Sequence, residues 1–410
     1  MTSISSTRSL TLDLPPSCIA FCPTQPHLSI VGTYHLHDNR TTTHKPTPSA
    51  TDADEAADDQ DDTAQPAQTR SGSLILYELN GDEILPIATS PTPDFAILDA
   101  KWSPHTTTTH SGELLAIATS TGSLAFYDLS TDRSSGAKGL TLRGSKQICE
   151  PSVLVLSLAW HSSRADVVGV TLSDGRVCLC CCESGAWAAE STVRVTTVFE
   201  HGLEAWTLAF TTGWDDEEDD DDGQMGVLSG GDDLVLQLSN WDGSAGSTPR
   251  WQDRKIHQAG VTAILPLGHE LIVTGSYDDR IRLISAPSIG GRRQVLAELD
   301  LGGGVWRLVL LGGLPGQDGV SFAHTASSDS TRSLLILASC MHAGTRIVKL
   351  SRSEQGEKDW TFEVLARFGE HKSMNYGSDV QPGEGRMKTI VSTSFYDKLL
   401  CLWRFDIGGK

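Results

Sequence analysis

Ten residues that could bind or transform a substrate lie in four short segments of this sequence, next to apolar stretches. They are His201, Glu204 and Trp206 in the first segment, Trp306 and Arg307 in the second, Cys340 and His342 in the third, and His371, Tyr376 and Asp379 in the fourth. Histidine and carboxylate side chains transfer protons, a cysteine can attack a carbonyl group, and arginine or tyrosine can stabilise a negative oxygen. If the four segments meet on one face of the fold, these residues would form a pocket.

Several motifs that would identify an enzyme class are missing from the chain. No G-x-S-x-G motif occurs, and no strand-helix alternation would support one, which excludes a standard α/β-hydrolase. The sequence contains neither a Walker loop nor G-x-G-x-x-G, so nucleotide binding has no support. We expect no cofactor.

Four cysteines, at positions 178, 180, 181 and 182, form the densest group of possible metal ligands. A strand directs alternate side chains to opposite faces, so Cys181 should point away from the other three. No C-x-x-C pair elsewhere could complete a site. We therefore interpret these cysteines as buried residues of a strand and predict no metal site.

A repeated unit organises most of the chain. In each copy an apolar strand is followed by a second strand, a tight polar turn, and a third strand with alternating apolar and polar residues. The clear copies occupy residues 113–130, 166–182, 270–285 and 388–405, and two further copies with deviations occupy 226–242 and 334–350. An innermost-strand candidate precedes each copy, so these segments predict six blades of a β-propeller.

The beginning of the chain supplies a seventh blade. Its four strands are predicted at residues 18–22, 28–35, 74–79 and 84–88. Residues 9–14 alternate correctly, and the last blade would otherwise lack its fourth strand, so we expect this N-terminal strand to close the ring and remove an open edge. The prediction is an all-β, seven-bladed WD-repeat β-propeller in which residues 1–410 form a single domain.

The net charge of −20 is concentrated in two acidic segments. Acidic runs usually stay solvated, because they have little to bury and repel themselves. We predict a disordered acidic insertion at 38–70 within the first blade, a disordered acidic loop at 214–223, and a loop insertion at 312–332. An acidic chain without a basic stripe also predicts no nucleic-acid partner.

The first residues lack the apolar core of a secretory signal. No apolar run reaches the roughly 20 residues needed to span a bilayer, so we predict no membrane association. Nine cysteines in no recognisable disulfide framework are typical of a reducing compartment. We expect a cytoplasmic monomer.

Phrases in the second half of the chain resemble the diphthine methyl ester hydrolases, a family of WD-repeat proteins also called diphthine methyltransferases. These phrases are HGLEAWTLAF at His201, GGGVWRL at Gly302, ASCMHAGTRIVKL at Ala338, HKSMNYGSDV at His371 and STSFYDKLLCLW at Ser392. The resemblance implies hydrolysis of a carboxyl methyl ester on a partner, translation elongation factor 2 carrying methylated diphthine. The sequence departs from the family pattern in the acidic run, in the insertion at 312–332, and at Val380.

If the protein hydrolyses an ester, each of the ten residues can be given a hypothetical role in the reaction. His342 or His371 would activate a water molecule, oriented by Asp379 or Glu204. Alternatively, Cys340 would be a covalent nucleophile, because spacing by two in a strand puts it on the same face as His342.

The remaining residues would contact the substrate. Arg307 and Tyr376 would stabilise the oxyanion, and His201, Trp206 and Trp306 would bind beside them. Arg307 could instead clamp an acidic substrate or pair with Glu204.

Two non-catalytic alternatives remain open. Most propellers of this type are scaffolds, and the fold does not decide function. A scaffold would use its side surfaces and tolerate loss of the histidines. A trafficking adaptor would instead recruit basic partners through its acidic tracts.

Overall fold

The apolar segments form short antiparallel strands that group into seven sheets, the blades of a propeller. The computed structural model describes residues 1–37, 69–105, 113–132, 134–211, 225–243, 246–268, 270–287, 290–313, 333–352 and 360–408. Within these ranges all regular secondary structure is β-strand. The prediction of an all-β, seven-bladed WD-repeat propeller is confirmed.

The first half of the chain forms two N-terminal strands and blades 1 to 3. The N-terminal strands are β1 (Thr2–Ile4) and β2 (Arg8–Thr11). Blade 1 contains β3 (Pro16–Phe21), β4 (Leu28–Thr33), β5 (His35–Leu36), β6 (Arg70–Asn80) and β7 (Glu83–Thr92). Blade 2 contains β8 (Ile97–Trp102), β9 (Leu114–Thr119), β10 (Ser123–Thr131) and β11 (Lys138–Gln147). Blade 3 contains β12 (Val155–Trp160), β13 (Val167–Leu172), β14 (Arg176–Cys182) and β15 (Val193–Glu200).

The second half forms blades 4 to 7. Blade 4 contains β16 (Ala205–Thr211), β17 (Met225–Gly231), β18 (Leu236–Trp241) and β19 (Ser247–Asp253). Blade 5 contains β20 (Val261–Gly268), β21 (Leu271–Ser276), β22 (Arg280–Ser285) and β23 (Gln294–Asp300). Blade 6 contains β24 (Arg307–Gly313), β25 (Ser333–Ser339), β26 (Thr345–Arg352) and β27 (Trp360–Phe368). Blade 7 contains β28 (Gly377–Val380), β29 (Met387–Ser394) and β30 (Leu399–Asp406).

The hydrophobic core lies between the blades. A cluster of buried apolar residues joins each blade to the next, including the seventh to the first. A strand between two blades must therefore be apolar on both faces, as strand β14 shows. Both faces of β14 contact a neighbouring blade, and every residue after Arg176 is buried. Cys178, Cys180 and Cys182 pack toward blade 2, whereas Cys181 packs toward blade 4, which confirms the predicted alternation.

The N-terminal strands pair with the last two blades. β2 runs antiparallel to β30, with Ser9 opposite Cys401, and is the outermost strand of blade 7. β1 runs parallel to β27 and adds a fifth strand to blade 6. The segment predicted for this role, residues 9–14, overlaps β2, and Leu12 is buried in the cluster between blades 7 and 1. That this strand closes the ring stays a prediction.

Deleting residues 1–11 should test it. The deletion leaves β30 as an unpaired edge, so we expect the free energy of unfolding to fall by about 2–4 kcal/mol, from several backbone hydrogen bonds worth about 1 kcal/mol each. Urea unfolding would measure this change. Deletion of residues 1–4 alone is the matched control, because it keeps β2. Equal stability of the two shortened proteins would contradict the prediction.

The three predicted insertions fall almost wholly outside the described residues. Of 38–70 only the last two residues are described, of 312–332 only the first two, and of 214–223 none. The described part of the structure contains no helix long and apolar enough to cross a membrane.

Candidate binding site in the central channel

The innermost strands of the blades surround a central channel. Strands β8, β12, β16, β20 and β24 line a cavity of about 420 Å³ within it. This volume is within the range typical of sites for small ligands. The wall carries Asp99, Lys101 and Arg307. Trp206 and Trp306 mark the channel mouth, the end of the channel at which the innermost strands begin.

Arg307 forms an ion pair across the channel. Its Nη2 atom donates to Oδ1 of Asp99 at 2.8 Å, which connects blade 6 to blade 2. The second oxygen of Asp99 accepts from the backbone N–H of Leu158 at 3.2 Å, and the side chain of Asp99 is only 1% exposed. Burial alone would lower the pKa of Arg307, but the negative charge of Asp99 raises it. The guanidinium is therefore charged and held in one place, and its carboxylate partner is Asp99 rather than Glu204, the partner suggested as one alternative.

Asp379 lies on β28, the innermost strand of blade 7. Its Oδ2 atom accepts from the backbone N–H of Phe21 at 2.8 Å, which joins blade 7 to blade 1, and its Oδ1 atom accepts from Val380 N–H. Burial raises the pKa of Asp379, while the Phe21 hydrogen bond and the charges of Lys101 and Arg307 lower it, with a net increase. The structure therefore brings two of the predicted site residues, Arg307 and Asp379, into one electrostatic environment.

Four aromatic rings stand at the channel mouth, and we call them the mouth cluster: Trp206, Tyr277, Trp306 and Tyr376. Trp306 lies 5.5 Å from Trp206, 5.9 Å from Tyr277 and 5.1 Å from Tyr376, measured between ring centroids. Trp206 and Tyr277 are 6.0 Å apart. The four rings come from blades 4, 5, 6 and 7 respectively. Tyr277 follows a second strand, whereas the other three residues lie at the start of an innermost strand. The predicted convergence of Trp206, Trp306 and Tyr376 is thus observed.

Two carboxylates border the mouth cluster on the side of blade 4. The indole N–H of Trp206 donates to Oδ1 of Asp232 at 3.1 Å. The backbone N–H of Asp232 donates to the carbonyl oxygen of Glu204 at 2.8 Å. Glu204, predicted as a site residue, therefore lies next to the cluster, whereas Asp232 was not predicted.

His371 is buried within blade 7. Its Nε2 atom is 2.7 Å from Oγ of Ser392, and this hydroxyl also accepts from the indole N–H of Trp403 at 2.9 Å. Burial lowers the pKa of His371 to about 4, so the ring is neutral at pH 7. The expected orientation of His371 by Asp379 or Glu204 is wrong, because its hydrogen-bond partner is a serine of its own blade.

His201 occupies the corresponding position in blade 4. Its Nδ1 atom is 2.9 Å from Oδ1 of Asp233, and its Nε2 atom is 2.9 Å from Oγ of Ser229. Burial lowers its pKa, although the hydrogen bond and charge of Asp233 oppose that effect. Both ring nitrogens are thus occupied by contacts that tie the loop before β16 to its own blade.

Cys340 and His342 do not share a face. Strand β25 ends at Ser339 and β26 begins at Thr345, so the two residues lie in a turn, where the alternation of a strand no longer applies. Cys340 is fully buried between blades 5 and 6, whereas His342 is exposed on the turn. The expectation of a Cys340–His342 pair is therefore wrong.

The thiol of Cys340 should resist chemical modification in the folded protein. Burial raises its pKa to about 12, and a thiol reacts as the thiolate. We expect iodoacetamide at about pH 8 to label Cys340 only after denaturation, as peptide mass spectrometry would show. Cys149 is the internal comparison for accessibility alone, because it is only half-buried while burial also raises its pKa to about 12. Rapid labelling of Cys340 in the native protein would contradict this packing.

Three residues of the site were not predicted from the sequence: Asp99, Tyr277 and Asp232. Asp99 and Lys101 are two charged residues within a strand whose other four residues are apolar, and this pattern is a signal that could have been used. Tyr277 lies in the turn after β21, where the repeat pattern alone attaches no meaning to an aromatic residue.

Solved structures with the same fold confirm the architecture. Sqt1 from Chaetomium thermophilum superposes with a TM-score of 0.58 at 13% identity and covers 99% of this chain and 86% of its own. The WD40 β-propeller domain of Doa1 superposes with a TM-score of 0.55 at 11% identity, covering 98% of this chain and 97% of its own. At such identities the likeness concerns the fold alone, which is that of a WD40-type β-propeller.

Curated proteins give a narrower relationship. No family model matches the chain. It is 32% identical over 337 residues to the diphthine methyltransferase of Schizosaccharomyces pombe, covering 82% of this chain and 86% of that protein. The diphthine methyltransferase of Homo sapiens is 28% identical over 388 residues, covering 90% of this chain and 72% of that protein. The chain belongs to the diphthine methyltransferase family of WD-repeat proteins.

Proposed function

We propose that the protein hydrolyses the carboxyl methyl ester of methylated diphthine on translation elongation factor 2, as a reaction of diphthamide biosynthesis. The observation that carries the proposal is the extended similarity to a diphthine methyltransferase of Schizosaccharomyces pombe. The direction of the reaction, removal rather than addition of a methyl group, rests on the resemblance of the GGGVWRL and ASCMHAGTRIVKL segments to the ester hydrolases of this family.

The reaction needs a base, a water molecule and a donor to the developing oxyanion. The water oxygen bonds to the ester carbonyl carbon, and the bond from this carbon to the methoxy oxygen breaks. Methanol leaves after taking up a proton, and the carboxylate stays on the protein substrate. The described residues offer groups for each part of this chemistry.

Arg307 supports oxyanion stabilisation. One of its nitrogen atoms holds Asp99, and a guanidinium has five N–H donors in all. Its side chain is 20% exposed, so part of it is accessible from the channel. A fixed cation in a half-buried site stabilises a developing negative charge more strongly than it would in water.

Asp379 is the base that the geometry favours. Asp379 lies on the innermost strand of blade 7, where the charge of Arg307 acts on its carboxylate, and burial raises the pKa of this carboxyl group above its ordinary value. His342 is the alternative base, because it is exposed on the turn of blade 6. His371 and Cys340 have less support, since His371 is held by a buried hydrogen bond within its own blade and Cys340 is buried between blades 5 and 6.

The proposal can be tested by measuring methanol release from methylated elongation factor 2, with mass spectrometry to detect the loss of one methylene-equivalent mass. We expect the Asp379→Asn variant to lose at least about 100-fold in rate, as is usual for removal of a general base. His342→Asn is the matched variant and should keep most of the activity. Circular dichroism should verify that both variants are folded.

Three results would contradict this assignment in different ways. Full activity of Asp379→Asn would remove the proposed base, and loss of activity in His342→Asn would transfer the role to His342. Transfer of a methyl group to the factor, in place of methanol release, would reverse the proposed direction.

A non-catalytic scaffold is the second candidate, and one observation favours it. His201 and His371, both predicted at the site, hold their loops through buried hydrogen bonds and would be needed in any propeller. The scaffold predicts that the purified protein binds the elongation factor but releases no methanol, and that Asp379→Asn binds as well as the unaltered protein.

A further inference from the structure

We propose that Lys101 makes the central channel a binding site for a free carboxylate group, so that the protein holds the product of the proposed reaction more tightly than the ester. Hydrolysis converts a neutral methyl ester into a carboxylate with one negative charge. The inference rests on the proposed function only where it identifies the ligand as the product. The charge of the channel wall is independent of any reaction.

Lys101 lies in the channel wall beside Asp99. Both residues belong to β8 and are two positions apart, so their side chains lie on the same face of this strand. Ala100 and Trp102, on the other face, pack in the cluster between blades 1 and 2. The backbone carbonyl oxygen of Lys101 accepts from the indole N–H of Trp160 at 3.0 Å, which fixes this part of β8 against blade 3. Lys101 is therefore a built part of the cavity wall.

The charged residues of this wall do not balance. Asp99, Lys101 and Arg307 carry one negative and two positive charges, which leaves an excess of one positive charge. Arg307 is paired with Asp99 at 2.8 Å, whereas Lys101 forms no ion pair with a carboxylate among the described residues. A cation in a partly dehydrated cavity is costly unless an anion compensates it. The wall therefore favours a ligand with a single negative charge.

Asp379 is the other carboxylate on which these cations act. Burial raises the pKa of Asp379, while the hydrogen bond from Phe21 and the charges of Lys101 and Arg307 lower it. The backbone N–H groups of Phe21 and Val380 hold this carboxylate where blade 7 meets blade 1. Ionised Asp379 would therefore compete with a ligand carboxylate for the charge of the same two cations.

The rest of the wall suits an organic acid better than an inorganic anion. Much of this wall is apolar, including Leu156, Ala159, Ile264 and Val309. Apolar surroundings disfavour a strongly hydrated ion such as phosphate, but they can contact the hydrocarbon part of an acid. They also strengthen the attraction between opposite charges relative to water.

Lys101 and Arg307 distinguish a carboxylate from its ester by charge. Lys101 has three N–H donors, and Arg307 has further N–H donors besides the one that contacts Asp99. An ester oxygen can accept a hydrogen bond from them but carries no net charge. Hydrogen bonds between two charged groups are roughly twice as strong as those between neutral groups. The carboxylate is therefore the preferred ligand.

The acid 3-methylbutanoate and its neutral amide provide a direct test on the full chain, because the two differ in charge but hardly in shape. Calorimetry at about pH 7 would measure binding. We expect the acid to bind at least about tenfold more tightly than the amide, and inorganic phosphate to bind more weakly than the acid. Equal binding of acid and amide, no binding of the acid, or tighter binding of phosphate would overturn the inference.

Variants of Lys101 locate the site. Lys101→Met should weaken binding of the acid about tenfold without changing that of the amide, whereas Lys101→Arg, which keeps the charge, should retain the preference for the acid. Lys138→Met is the matched control, because Lys138 lies on the outermost strand of the same blade. Equal weakening by Lys101→Met and Lys138→Met would overturn the inference, and Lys101→Gln serves if Lys101→Met fails to fold.

Inhibition by the product connects the site to the reaction. Elongation factor 2 that carries diphthine with a free carboxylate should inhibit methanol release competitively, and Lys101→Met should raise the inhibition constant about tenfold while leaving KM for the ester unchanged. An inhibition constant that Lys101→Met does not alter would contradict the role of Lys101.

The binding test involves no turnover, so its failure is separate from failure of the proposed hydrolysis. Methanol release without any preference for the acid over the amide would remove the carboxylate site and leave the hydrolase. A preference for the acid that depends on Lys101, without methanol release, would leave the carboxylate site and remove the hydrolase.

Discussion

Replacing Arg307 with methionine should lower the free energy of unfolding by about 3–5 kcal/mol, the usual loss when one partner of a buried ion pair is removed. The variant keeps the apolar stem of the side chain but leaves the carboxylate of Asp99 without its charged partner. Asp99 is 1% exposed, and its remaining contacts are hydrogen bonds with the backbone N–H groups of Leu158 and Ala100. Urea unfolding would measure the loss.

Two further variants show whether the effect comes from the unpaired charge. Combining Arg307→Met with Asp99→Asn removes both charges and should restore a large part of the lost stability. Arg386→Met is the matched surface control, since Arg386 lies 3.8 Å from Asp406 and is 63% exposed. That control should cost less than about 1 kcal/mol. An equal loss for Arg307→Met and Arg386→Met would show that the channel pair is not buried in solution.

The propeller could be predicted because its signal is repeated and local. A strand packed between two blades must be apolar on both faces, and the run of valine, leucine and cysteine in β14 shows this directly. The polar turn that follows each second strand is an additional sequence signal for each blade. Residues 9–14 could be assigned only by elimination, because nothing in the sequence specifies that Ser9 lies opposite Cys401.

The site was only partly predictable. Trp206, Trp306 and Tyr376 meet because the loops that enter the innermost strands open onto one face, a property of the fold that needs no exact distance. The Arg307–Asp99 pair joins residues that are 208 positions apart and on blades that are not neighbours. Spacing in the sequence does not show which residues face each other across the channel of a propeller. Asp99 therefore could not be assigned as the partner of Arg307.

Histidines were the least predictable group. A histidine that holds a loop through a buried hydrogen bond has the same sequence context as a catalytic one, and only burial and partners separate His371 from His342. The Cys340–His342 expectation failed for a related reason, because it applied the alternation of a strand beyond Ser339, the last residue of β25.

As the pH falls, protonation of the buried histidines should begin to destabilise the protein at a higher pH than protonation of its carboxylates. Burial lowers the pKa of His161, His257 and His371 to about 4 in each case, against about 6.5 in an unfolded chain. The unfolded state therefore binds more protons between these values. The stability that these residues contribute is complete above about pH 6.5 and is lost as the pH falls toward about 4.

The slope of this loss is large enough to measure and to assign. Each histidine that takes up a proton on unfolding lowers the free energy of unfolding by up to about 1.4 kcal/mol per pH unit, so three give about 4 kcal/mol per unit. Urea unfolding at about pH 7.5, 6 and 5 would measure the slope. His371→Asn should reduce it by about a third, whereas His342→Asn, at an exposed position, should leave it unchanged. Protonation of carboxylates changes the free energy of unfolding mainly below about pH 4. A free energy of unfolding that stays constant between about pH 7.5 and 5 would therefore mean that these rings are not held neutral in the folded protein.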